Sequence, residues 1–139
     1  MMNRLDVVAQ KANRTKNQII HILEQLTSDY QTTKSERQEI AANFPASNDE
    51  FSVLEELELL TVNIRGYASQ IQFKGEIQNQ QQAVDNLNHL AVFDIPAIAQ
   101  FYFSRNGEYQ SMKAYLEMLD YLRLLIIEYL SLSTMSSRV

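Results

Sequence analysis

The chain has 139 residues, with 45% apolar and 21% charged residues, a formal net charge of −5, three glycines, two prolines and no cysteine. This length suits one domain of ordinary size with its own core, and the missing cysteine excludes disulfides, thiolate metal sites and a cysteine nucleophile. So few breakers favour long helices over many short strands and turns, and the acidic balance weighs against a general nucleic-acid binder.

Residues 1–16 lack the apolar core of a signal peptide. The most apolar stretch, Tyr115 to Leu132, carries Glu117, Asp120, Arg123 and Glu128, too many charges for a bilayer span. The expected location is therefore cytoplasmic.

A first helix is expected from near Asn3. Leu5, Val8, Ala12, Thr15, Ile19, Ile22 and Leu26 alternate spacings of three and four, a heptad seam widened by Ile20 and Leu23. Past Leu26 the seam positions become Asp29, Thr33 and Glu36. The helix is thus expected either to fray near Thr27–Asp29 or to run on, solvated, to about Asn43, with Ile40 and Phe44 as a second apolar contact. Phe44-Pro45 marks a break, and Ser47 with Glu50 forms a capping box for the next helix. There Val53, Leu57, Leu60, Ile64, Tyr67 and Ile71 repeat at four and three. Gly66 lies inside this helix, where close packing against a neighbour is the expected reason for it. Residues 72–75 are a kink, a turn or a continuation. Helical spacing resumes through Ile77, Val84, Leu87 and Leu90. Asp94-Ile95-Pro96 starts a short helix, which Asn106-Gly107 ends.

The last helix is expected over about 108–132. Lys113, Glu117, Asp120, Arg123, Glu128 and Ser131 share a polar arc, with Lys113–Glu117 and Asp120–Arg123 spaced to pair. The remaining arc, including Met112, Tyr115, Met118, Leu119, Leu122, Leu125, Ile126 and Tyr129, is wider than the stripe of a simple surface helix. It implies either several packed neighbours or an interface. The expected fold is all-α: an antiparallel bundle of four or five helices, the first two long, possibly a helical homodimer. Residues 1–132 form a single domain, with 133–139 a flexible C-terminal tail.

Catalytic constellations are sparse. His21 with Glu24 and Asp85 with His89 share helical faces, yet no Glu-x-x-His pair of the di-iron type occurs. His21 falls opposite the apolar seam and should face solvent. No serine sits in a glycine-flanked elbow, and Gly66, Gly75 and Gly107 are isolated rather than grouped in a phosphate loop. No metal, cofactor or catalytic residue is therefore expected, and the chain does not read as an enzyme.

Three interaction features stand out. Arg4, Lys11 and Arg14 make a basic stripe on the first helix. Glu55, Glu56 and Glu58 make an acidic cluster early in the second. Met112, Tyr115, Met118, Leu122 and Tyr129 are residue types enriched at interfaces and also ordinary core fillers. The expected function is a noncatalytic protein–protein interaction module (an adaptor, small regulator or chaperone-like binder) whose partner is another protein or a second copy. One alternative is an acidic immunity- or antitoxin-type protein that neutralises a basic partner. The weakest is a nucleic-acid-associated protein using the basic stripe, which lacks the interleaved aromatics of single-strand binders.

Overall fold

Few breakers and sustained apolar periodicity produce helices throughout the part of the chain that can be described. The computed structural model describes residues 4–43, 53–90 and 109–136, and among these there is no strand. Helix α1 spans Arg4–Asp29 and passes through a 3-10 turn, Tyr30–Thr33, into α2, Lys34–Asn43. Then follow α3, Val53–Lys74, α4, Gln80–Leu90, and α5, Gln110–Ser136. Counting α1, the turn and α2 as one rod, the described residues make four rods. The expected break at Phe44-Pro45, the Ser47/Glu50 capping box and the short helix between Asp94 and Asn106-Gly107 lie outside the described residues, as do Asn3 and the end of the tail.

The first rod does run on past Asp29, but not as a solvated extension. Thr33 and Ile40 are fully buried, and Tyr30 packs on the core. The buried line reads Thr15, Ile19, Leu23, Leu26, Tyr30, Thr33 and Ile40, so it leaves the strict heptad at Leu23. A helix of 3.6 residues per turn drifts against a 3.5 repeat, which accounts for the shift. The 3-10 turn has a local cause. The hydroxyls of Thr32 and Thr33 donate to the carbonyls of Asp29 and Tyr30 at 2.7 and 2.8 Å, three residues back, and tighten the chain there.

Helix α3 ends at Lys74 because Gly75 adopts φ +72°, a left-handed cap, with its N–H donating to the Ile71 carbonyl at 2.9 Å. Residues 72–75 are thus a helix end. Asn79 then caps α4: its side chain accepts from the Gln82 N–H at 3.1 Å and its carbonyl from the Ala83 N–H at 3.0 Å. Tyr109, at φ 59°, precedes α5 and accepts from the Lys113 N–H at 2.9 Å. A left-handed tyrosine costs about 1–2 kcal/mol. Its burial among the core residues offsets that cost. Helix α5 continues through Ser136, four residues beyond the expected end.

Long-range contacts set the directions. Lys11 meets Glu128, and the Met112 N–H donates to the Glu36 carboxylate at 3.3 Å, so the first rod and α5 run oppositely. Arg65 donates to the Thr27 hydroxyl at 2.8 Å, and the Lys16 ammonium lies 3.6 Å from where a Cβ on Gly75 would stand, so α3 also opposes α1. The core between them holds Ile19, Leu26, Leu57, Ile64, Ile71, Leu87, Leu116, Leu119, Leu122 and Ile126. Helix α5 touches all the other elements, which is why its apolar arc has to be so wide.

Candidate interaction surface

The apolar arc of α5 is consumed inside the molecule. Met112, Tyr115, Leu122 and Tyr129, expected as candidate interaction residues, are buried in the core, and Met118 is half-buried against it. The physical reason is the position of α5, whose sides are covered by α1, α2, α3 and α4. Its solvent face is instead Glu117, Tyr121, Leu124 and Glu128. Tyr121 and Leu124 are half-exposed. Arg123 departs from the expected polar arc. It is only 7% exposed, and its guanidinium donates to Asp120 at 2.9 Å and to the Leu87 carbonyl at 3.3 Å. The expected Asp120–Arg123 pair forms, but it does so at the α4–α5 contact.

The basic stripe lies in solvent. Arg4, Lys11 and Arg14 are exposed along α1, and so is His21. Lys11 sits 3.9 Å from Glu128, with both side chains about half in water, and such a pair contributes little. Asn17, Gln18, His21 and Ile22 of α1 and Tyr121 of α5 line an open groove beside it. The acidic cluster is also in solvent at Glu55 and Glu58, while the side chain of Glu56 lies outside the described residues. The basic stripe and the acidic residues therefore belong to different helices and are not brought together as one site.

The surface that sequence reasoning missed is the outer face of α3. Leu59, Val62 and Phe73 are 48%, 69% and 80% exposed. With Gly66 they recur at positions 59, 62, 66 and 73, a second heptad line on the side opposite Leu57, Leu60, Ile64 and Ile71. A signal was present: α3 carries apolar residues on two sides, and its core line accounts for only one. Gly66 overturns its expected reason. A Cβ there would meet nothing within 4 Å, so no neighbour among the described residues requires glycine. It still costs about 1 kcal/mol relative to Ala in a helix.

Three tyrosines, Tyr30, Tyr115 and Tyr129, report on the interior. Tyr30 and Tyr115 pack with ring centroids 5.9 Å apart, and the Arg37 guanidinium stacks over Tyr30 at 3.7 Å. Arg37 also donates to the Thr33 and Tyr30 hydroxyls, each at 2.9 Å, which satisfies a charge that falls at a core-facing position. The Tyr115 hydroxyl is buried, with no hydrogen bond to it among the described residues. Burial pushes its pKa up, and the nearby Arg65 guanidinium opposes that shift. Burial likewise raises Tyr129, with Glu76 adding to it, and the Tyr129 hydroxyl donates to the Gly75 carbonyl at 2.5 Å.

Opposite effects are expected on removing the two hydroxyls. Tyr115→Phe should leave stability unchanged or raise it by up to about 1 kcal/mol, whereas Tyr129→Phe should cost about 1 kcal/mol. Both groups hold their protons more tightly when folded, so their contribution is complete below the unfolded pKa of about 10 and is lost as pH rises through the higher folded value. Urea midpoints should therefore fall above pH 10, and the fall should be shallower in the Tyr115→Phe, Tyr129→Phe double variant.

The fold and these surfaces define an all-helical protein, and no described helix is long and apolar enough to cross a membrane. Among the described residues no group of three or more His, Asp or Glu side chains is placed to hold a metal ion. Scans against protein-family models, curated proteins and solved structures find no match.

Proposed function

We propose that the four rods act as an antiparallel bundle and that the protein is a noncatalytic interaction module working through exposed helix faces. One observation carries this reading. Leu59, Val62 and Phe73 stand in water on one line of α3, although the same helix already buries a complete apolar face. Aligned exposed apolar side chains of this kind mark interaction sites more often than scattered ones do. The docking address thus moves from the apolar arc of α5 to the outer face of α3.

A second reading has one observation in its favour. Glu55 and Glu58 are exposed at the start of the same helix, next to Leu59. That combination suits a basic partner, as in an acidic neutralising protein. The nucleic-acid reading is weaker, because Glu128 lies beside Lys11 within the basic stripe.

The test is affinity capture from the native cell with the wild-type chain and with a Val62→Glu, Phe73→Glu variant. Proteins held through α3, further copies of the chain included, should be lost from the variant. Identical capture by both would sink the reading. Loss on Glu55→Lys, Glu58→Lys alone would favour the basic partner.

A further inference from the structure

We infer that the occupant of the outer face of α3 is a second copy of this chain, packed antiparallel with its dyad near Gly66. The inference rests on the interaction reading above and names its partner. Three features point to self-docking. The first is the arrangement about Gly66, with Leu59 seven residues before it and Phe73 seven residues after. An antiparallel mate centred there sets each Phe73 against the other copy's Leu59, so one patch completes itself, as the self-complementary interface of a two-fold dimer requires.

The second is charge. Glu58 is exposed near the start of α3, and Lys74 is exposed at its end. A parallel mate would superpose like ends, acid on acid and base on base. An antiparallel mate brings each Glu58 level with the other copy's Lys74 along the helix axis and opposes the two helix dipoles. The third is Gly66 itself. It stands mid-helix on the solvent side with open space around it, and no contact among the described residues explains it. Closely approaching helices do, since a glycine at the crossing point lets two backbones come together.

The chain has no cysteine, so single cysteines read the geometry directly. In sedimentation of the purified full chain, a dimer is expected, and Gly66→Leu and Phe73→Glu should each weaken association by tenfold or more. Under mild oxidation Gly66→Cys should link to itself. Phe73→Cys should not, because its two copies would stand about 21 Å apart along the helix axis. An equimolar mixture of Leu59→Cys and Phe73→Cys should give a mixed dimer. A wild-type chain that stays monomeric at high concentration overturns the inference, and Phe73→Cys linking to itself as readily as Gly66→Cys overturns the antiparallel arrangement. If the chain is monomeric while capture from cells still depends on Val62 and Phe73, the second copy is refuted and the interaction reading stands. If capture is also insensitive to them, both fail.

Discussion

Leu122→Ala is expected to lower the stability of the folded chain by about 2–5 kcal/mol, read as a fall in the urea midpoint followed by far-ultraviolet circular dichroism. Leu122 is fully buried in the middle of α5, where that helix meets its neighbours. Truncation removes apolar burial and leaves a cavity that packed helices close only in part. Leu124→Ala is the matched control. Leu124 lies two residues further along the same helix but is half-exposed, so its loss should shift stability by no more than about 0.5 kcal/mol. The pair separates the two roles open to the apolar arc of α5. A residue held for an external partner would leave the isolated chain almost unchanged when truncated. Equal midpoints for Leu122→Ala and wild type would contradict its place in the core.

Asp120→Ala is expected to cost about 3–5 kcal/mol at neutral pH. Arg123 is buried, and its guanidinium has Asp120 and the Leu87 carbonyl as its hydrogen-bond acceptors. Without the carboxylate, a desolvated cation is left with a single carbonyl. Arg123→Met in the same background should recover much of the loss, because an apolar chain of similar length suits the site once no charge needs a partner. The four midpoints of this cycle give the coupling between the two side chains. Additive losses would mean that Arg123 reaches water and that the pair behaves as an exposed one.

Much of the fold was legible because helical periodicity is local. The buried positions Thr15, Ile19 and Leu26 of α1 and Leu57, Leu60, Ile64 and Ile71 of α3, and the exposed Glu117, Glu128 and Ser131 of α5, follow from spacings of three and four. The end of α3 was written in Gly75, though its left-handed geometry, rather than a kink, was not. The exposure of His21 followed from its place opposite Ile19 and Ile22. The errors share one origin. A wheel states which residues share a face but not which face a neighbour covers. Arg123 falls on the polar arc of the wheel beside Asp120, and no spacing singles out Arg37. Each is drawn inward by partners supplied by tertiary contact or the 3-10 turn, Leu87 in one case and Tyr30 with Thr33 in the other.

The candidate site was less legible. The basic stripe and the acidic residues could be located on their helices but not related to each other, since their separation depends on how α1 and α3 pack. The outer face of α3 went unread because one core line already explained that helix. By itself the sequence determined that this protein is helical, where its apolar seams run and that cysteine chemistry is absent, all properties of residue type and spacing. Only the tertiary structure decided that the broad arc of α5 is core, that Asp120 and Arg123 pair inside, and that Leu59, Val62 and Phe73 remain in water around a glycine with open space beside it among the described residues. Burial is a property of pairs of surfaces, and those pairs join residues far apart in the chain.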